Sequence, residues 1–360
     1  MTHTVVIKLG TSSILDEERY QPKIGTLAAI VETAARLKSD GHRVVLVSSG
    51  AIGVGRMHTG KKGAVTKVAE RQALAAMGQV RLSSMWDSLF ATVGLATAQV
   101  LLTRGDLADS NRYYHARETL NALMSDSFDA IPIVNENDTV SPSEGRFGDN
   151  DTLSAITAGL VGADFLFICT DVDGLYTDNP RANPDARRLG VVHGVDDARR
   201  AASVTSMGSS LGTGGMKTKL VAAELATAAG IATVILRSDA PQHIVTIVNR
   251  GIPDVPEQPA TVDAIGYPPL EPPHTLFLPK SERVPDHKWT ILHALHPAGN
   301  LIIDEGAYER ISKKESGGRL LPAGVIGVEG VFERLQAVRL LVKKGDDTFE
   351  TRYTLRTRSR

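Results

Sequence analysis

Up to about residue 250, short apolar runs alternate with longer segments whose apolar residues return every three to four positions. Val5-Val6-Ile7, Val44–Val47, Leu95–Leu102, Ile131–Val134, Phe165–Cys169 and Thr233–Leu236 are rich in β-branched and other apolar residues, which predicts strands. Ile24–Leu37, Lys67–Leu89, Ser110–Met124 and Asp151–Leu160 have helical spacing. The first of these stops near Gly41, and the second is rich in Ala, Leu, Gln and Met. Short buried strands separated by helices predict an α/β fold, with a mostly parallel sheet sandwiched by helices.

The pattern changes after Asn249. Nine of the chain's 17 prolines lie between Pro253 and Pro285, and proline interrupts helix interiors and central strands. Residues 253–286 are therefore expected to be a linker between a first domain, residues 1–252, and a tail, residues 287–360. In the tail Trp289–Leu295, Leu301–Ile303, Val338–Val342 and Phe349–Leu355 read as short strands and Glu305–Lys313 as a helix, which makes a small mostly-β domain. Its basic end, with Arg352, Arg356, Arg358 and Arg360, is expected to be a solvated tail.

Composition narrows the function classes. A chain of 360 residues, 42% of them hydrophobic, can bury a substantial core. A formal net charge of -1 gives no reason to expect a nucleic-acid or membrane surface. Cys169, the one cysteine, lies in an apolar strand, so no disulfide framework or cysteine metal site is expected, and the ten histidines show no metal-binding spacing. No charged-then-apolar leader opens the chain, and no apolar run approaches the roughly 18 residues needed to cross a bilayer. A soluble, cytoplasmic protein follows from this reading.

Candidate chemistry gathers at the ends of the predicted strands, where open α/β sheets bind their ligands. The first strand delivers Lys8-Leu9-Gly10-Thr11-Ser12, the second Ser48-Ser49-Gly50-Ala51, and the Phe165–Cys169 strand Thr170-Asp171-Val172-Asp173-Gly174-Leu175-Tyr176. Polar loops of this kind are common to all α/β proteins. More informative is Gly212-Thr213-Gly214-Gly215-Met216-Lys217-Thr218-Lys219, which sets glycines, hydroxyls and two lysines at a predicted helix start. Glycine lets backbone N–H groups approach phosphate oxygens, and a helix N-terminus adds roughly half a positive charge. Two acidic clusters, Asn135-Glu136-Asn137-Asp138 and Gly148-Asp149-Asn150-Asp151, belong to the same set of ends. Helix capping accounts for one aspartate of the second. Carboxylates beside lysines also suit a site that brings ATP to an acidic acceptor, where they hold the lysines, bind magnesium water or receive a substrate ammonium.

In order and spacing, Lys8 to Ser12, Ser48 to Ala51, Asn135 to Asp138, Gly148 to Asp151, Thr170-Asp171 and Thr213 to Lys219 resemble the motifs of the glutamate 5-kinases, in the amino acid kinase superfamily. The likeness covers about residues 3 to 250 and makes residues 1–252 an amino acid kinase domain. Asp304-Glu305-Gly306-Ala307 and Leu321-Pro322-Ala323-Gly324-Val325 make the tail similar to the PUA domain that often follows this kinase. The resemblance implies ATP-dependent phosphorylation of the γ-carboxylate of free L-glutamate, giving glutamyl 5-phosphate, the first step towards proline. Lys8 and Lys219 would flank the transferring group, and Asp151 would hold both lysines in place. Ser49, Gly50, Ala51, Asp138, Asp149 and Asn150 would bind glutamate. Lys8, Gly10, Thr170, Asp171, Tyr176, Thr213, Gly214, Gly215, Met216, Lys217, Thr218 and Lys219 would bind ATP. Magnesium is expected on the nucleotide phosphates, with no protein ligand assigned. Feedback inhibition by proline, through the loop from Asn135 to Gly148, and a dimer or tetramer are also implied. Because acyl phosphates are labile, handover to a separate glutamyl-phosphate reductase is expected.

The chain departs from that pattern in its long proline-rich stretch and at Phe332-Glu333-Arg334, which runs into Leu335-Gln336 where a glycine and an acidic residue usually follow. It also stops at Arg360, short of a final helix-like segment. An incomplete PUA-like domain is expected, which counts against RNA binding. Two other readings stay open: a sibling kinase acting on N-acetylglutamate, aspartate or a nucleoside monophosphate, and an RNA-binding regulatory protein with an inactive kinase fold. The pairing of Lys8 with Lys219 and the near-zero net charge favour a kinase over the latter.

Overall fold

The computed structural model describes residues 1–16, 18–19, 21–61, 65–141, 150–180, 182–201, 215–253, 270–280, 299–312, 320–332, 337–344 and 348–356. The chain divides into two compact units, one of Met1–Thr103 with Ala116–Val284 and one of Arg104–His115 with Pro285–Arg360.

The strands among the described residues are β1 (Thr4–Leu9), β2 (Leu15–Asp16), β3 (Gln21–Pro22), β4 (Arg43–Ser48), β5 (Thr97–Leu102), β6 (Ile131–Glu136), β7 (Phe165–Thr170), β8 (Val191–Val192), β9 (Ala232–Arg237), β10 (Thr275–Phe277), β11 (Gly299–Ile303), β12 (Val325–Gly330), β13 (Ala337–Lys344) and β14 (Thr348–Arg356). The helices among the described residues are α1 (Thr11–Ile14), α2 (Ile24–Ser39), α3 (Ala51–Thr59), α4 (Val68–Ala91), α5 (Arg104–Ala108), α6 (Ser110–Leu123), α7 (Asn150–Leu160), α8 (Val195–Ala201), α9 (Met216–Ala228), α10 (His243–Arg250) and α11 (Glu305–Ser312).

The first unit is built on one sheet of eight strands in the order β5-β6-β4-β1-β7-β9-β10-β8. All its pairings are parallel except that of β9 with β10. Strands β1, β6 and β7 are buried from end to end, as continuous apolar runs must be when helices cover both faces. Strict alternation along the strands assigns side chains to the two faces. Val5, Ile7 and Leu9 join Leu46, Ile133, Phe167 and Val234 in one core with Leu27 and Ile30 of α2 and Trp86 and Phe90 of α4. Lys8 has the opposite parity, towards the face on which α7 packs against β1 and α9 packs against α7. The centre of the sheet thus sends a lysine towards the two helices whose first turns carry Asp151 and Lys219.

Most predicted elements are present with ends moved by one or two residues. Helices α1, α3, α5, α8 and α10 and strands β2, β3, β8 and β12 were not expected. The α3 sequence holds Gly53 and Gly55, poor helix formers, and its close packing on α4 compensates. A Cβ on Gly55 would lie 2.0 Å from the Leu74 carbonyl oxygen, and one on Gly78 of α4 would lie 1.8 Å from that of Ala51. The two glycines are what let these helix backbones touch.

The expectation that residues 253–286 form only a linker needs correction. Thr275–Phe277 is a strand of the main sheet, antiparallel to β9 and parallel to β8. The prolines flank it, Pro272 and Pro273 before and Pro279 after, so its own N–H groups remain free to pair. The N–H of Leu276 donates to the Gly190 carbonyl at 2.8 Å and that of Leu278 to Val192 at 2.9 Å. The strand expected at Trp289–Leu295 lies outside the described residues.

The tail forms a four-stranded sheet in the order β12-β11-β13-β14, with β11 and β13 parallel and the outer pairs antiparallel. Ile303, Leu340 and Val342 make its core, against which Tyr308 and Ile311 of α11 pack.

Candidate active site

Three charged side chains from distant parts of the sequence meet beneath the carboxyl end of β1. The Lys8 ammonium pairs with Oδ1 of Asp151, and the Lys219 ammonium lies 3.1 Å from Oδ2. Thr218 Oγ1 donates to the same Oδ2 at 2.8 Å. Lys8 is 4% exposed, Lys219 6% and Asp151 0%. Burial on this scale raises a carboxyl pKa, but the two adjacent ammonium groups, with hydrogen bonds from Lys8 and Thr218, overcome it and hold Asp151 well below the usual carboxylate range. Asp151 is also in the first turn of α7, where the helix dipole favours a negative charge. One carboxylate balances one of the two positive charges, and an ammonium group carries three donors. Such a cluster is suited to holding an anion.

Beside it lies a polar chain formed by the second group of predicted residues. Strand β4 ends at Ser48, Ser49 donates its N–H to the Leu9 carbonyl at 3.0 Å, and Gly50 turns into α3 with φ +110°, a conformation that favours glycine. Asn150 Nδ2 donates to Ser49 Oγ and to Asn135 Oδ1, both at 2.8 Å. Asn135 Nδ2 donates in turn to Gln79 Oε1 at 2.8 Å. The buried Asn150 Oδ1 has no hydrogen-bond partner among the described residues. Asp138 is half-buried in the turn after β6, its N–H bonded to the Glu136 carbonyl at 2.9 Å. Asp149 lies outside the described residues. The role of Asn135 in tying Asn150 down was not anticipated, although the residue opens one of the acidic motifs. Gln79 sits mid-helix in α4, and nothing in its neighbours marks it.

The third group borders the other side of β1. Gly10 precedes α1 and accepts the Ser13 N–H at 3.0 Å through its carbonyl. Thr170 Oγ1 donates to Asp171 Oδ1 at 3.1 Å. The Tyr176 hydroxyl donates to Asp173 Oδ1 at 2.7 Å, and partial burial together with that carboxylate raises the phenol pKa. Gly215 leads into α9, with Met216 half-buried, Lys217 exposed, and Thr218 and Lys219 turned to Asp151. Thr213 and Gly214 lie outside the described residues. Cys169, next to Thr170, is a core residue whose thiol burial pushes up to about 12, so it has no nucleophilic character here.

The chain has counterparts among known proteins. The amino acid kinase family profile matches residues 3–237, and the PUA domain profile matches residues 299–347. The chain is 46% identical over 341 residues to a Schizosaccharomyces pombe protein named "Probable glutamate 5-kinase", spanning 94% of this chain and 81% of that one. It is 42% identical over 348 residues to the glutamate 5-kinase of Synechococcus elongatus, spanning 96% and 88% of the two. The UMP kinase of Bacillus anthracis has the same fold at 14% identity, with a TM-score of 0.50 over 78% of this chain and 97% of that one. The chain belongs to the amino acid kinase family, and within it to the glutamate 5-kinases, with a PUA domain behind the kinase domain.

Proposed function

We propose that this chain transfers the γ-phosphoryl group of ATP to the γ-carboxylate of free L-glutamate, producing glutamyl 5-phosphate and ADP on the route to proline. The observation that carries the reading is the buried cluster of Lys8, Asp151 and Lys219 between the Ser49–Asn150 chain and the Thr170–Tyr176 loop.

The acceptor carboxylate has a pKa near about 4.3 and is already ionised at neutral pH, so no general base is required. A carboxylate oxygen forms a bond to the γ-phosphorus while the bond from that phosphorus to the bridging oxygen breaks, and the electron pair leaves on ADP. The obstacle is repulsion between two anions. Lys8 and Lys219 offset it, and Asp151 keeps both ammonium groups in position while the charge is transferred. Gly10 and the turn before α9 would offer backbone N–H groups to phosphate oxygens. The carbonyl oxygen of the Asn150 side chain and the Asp138 carboxylate would accept from the substrate α-ammonium. An N-acetylated acceptor would present a neutral amide there instead. Among the described residues no group of three or more His, Cys, Asp or Glu forms a metal cage. Magnesium prefers phosphate oxygens and water, so it would arrive on the nucleotide and neutralise part of its charge.

The same reading includes inhibition by proline beside the glutamate pocket, a homo-oligomer, a cytoplasmic setting and transfer of the labile product to a separate reductase. Among the described residues no helix is long and apolar enough to cross a membrane.

The deciding assay traps acyl phosphate with hydroxylamine and compares glutamate, N-acetylglutamate and aspartate, with and without proline. Turnover on free glutamate is expected, suppressed by proline; turnover confined to another acceptor would reassign the pocket. Lys219→Ala should lower kcat by about 100-fold or more while moving the glutamate KM little, since the lysine acts mainly on developing charge. Unchanged kcat would remove Lys219 from the mechanism.

A further inference from the structure

The Thr170–Tyr176 loop is held by the proline-rich stretch. Thr275 of β10 is fully buried, and its hydroxyl accepts the Leu175 N–H at 2.8 Å and donates to the Leu189 carbonyl at 2.6 Å. Leu175 is itself buried. The contact is close, because a Cβ added to Gly174 would lie 2.5 Å from Thr275 Oγ1 and 2.9 Å from Arg188 Cδ. Arg188 supplies a second tie, since Nη1 donates to Asp173 Oδ2 at 3.1 Å and Nη2 to the Leu270 carbonyl at 3.3 Å. Leu270 and Thr275 both lie beyond residue 237, where the match to the amino acid kinase profile ends.

We infer that Thr275 is a positioning residue for nucleotide binding, fixing the Thr170–Tyr176 loop in the form that takes ATP. The inference rests on the proposed reading of that loop as part of the nucleotide site. A hydroxyl is needed at this position because it must accept from one buried backbone group and donate to another. Valine, of nearly the same shape, can do neither. With valine there, the Leu175 N–H and the Leu189 carbonyl regain partners only if the loop moves towards water. The free energy of that shift then falls on every ATP-bound state. Ser49 and Asn150, proposed to bind glutamate, stand on other elements and are not drawn along.

Steady-state kinetics of the full chain test this. Thr275→Val should raise the ATP KM about tenfold, the usual scale for an unmade buried hydrogen bond. The glutamate KM should stay within about twofold, and Thr275→Ser should return the ATP KM close to the wild-type value. A general loss of fold would move both KM values and would not be rescued by serine. Should Thr275→Val fail to fold, Arg188→Met decides: an ATP-selective rise supports the inference and none overturns it. Wild-type chain that turns over ATP while Thr275→Val keeps its ATP KM overturns the inference alone. Wild-type chain without ATP turnover overturns the reading on which it rests, and the inference with it.

Discussion

Asp151 is the residue on which the site depends, because its two oxygens serve Lys8 on one side and Lys219 with Thr218 on the other. Replacing it with asparagine keeps the shape and leaves two buried ammonium groups without their shared countercharge. Asp151→Asn should lower the unfolding free energy at pH 7 by about 3 kcal/mol, the lower end for breaking a buried ion pair. The sign of the pH dependence follows from the depressed carboxyl. Its stabilisation is fully present above the ordinary value of 3.8 and is lost as pH falls from there through the much lower folded value. The gap between wild type and Asp151→Asn should therefore narrow by about 1 kcal/mol between pH 5 and pH 3. Urea unfolding at the two pH values checks this, and a constant gap would mean that the carboxyl is not held low. That Lys8, Asp151 and Lys219 would come together was legible in the sequence because Lys8 lies near the end of an apolar run and the other two open helices, amid glycine and hydroxyl residues in motifs that resemble a known family. Gln79 and Thr275 were not, since their hydrogen bonds reach residues far away in sequence, 56 positions for Gln79 and 100 and 86 for Thr275.

Elements place these residues, and the tightest fit between elements is that of α3 with α4. Gly78 faces the Ala51 carbonyl at the start of α3, one residue beyond Gly50 and two beyond Ser49. Gly78→Ala must push α3 away, because the obstruction is backbone and not a side chain that can rotate. A loss of about 2 kcal/mol is expected, roughly 4–8 °C in Tm for a domain of this size. The displaced α3 start should also raise the glutamate KM more than the ATP KM. Thermal unfolding with kinetics on both substrates checks the pair of effects, and an unchanged Tm would show that the helices can separate without cost. The central strands were readable because both faces are buried and their apolar runs are unbroken. Helix α3 was not, since its glycines argue against a helix until the packing that requires them is known. Strands of two or three residues, such as β8 and β10, are too short to carry a period.

For the whole molecule, the parallel sheet with helices on both faces followed from the alternation of short and long apolar segments. The division at residue 252 did not agree with the structure, because proline content marks where a chain cannot form long elements and not where a domain ends. The first compact unit runs on to Val284. A chain ended after residue 252 loses β10, which joins β8 to the rest of the sheet, whereas one ended after residue 284 keeps all eight strands. The longer truncation product should melt cooperatively and bind ATP, and the shorter should have a lower Tm and weak ATP binding. Equal behaviour of the two would make β10 dispensable.

The order in which the chain leaves the ribosome gives the tie at Thr275 a further meaning. Domains fold largely as units from the N-terminal end during synthesis. A nascent chain that has exposed residues 1 to 250 already holds Lys8, Asp151 and Lys219, yet its Thr170–Tyr176 loop still lacks the hydroxyl that fastens it. If Thr275 fixes that loop as proposed, the emergence of β10 from between its flanking prolines is the event that tightens the nascent chain's hold on its nucleotide.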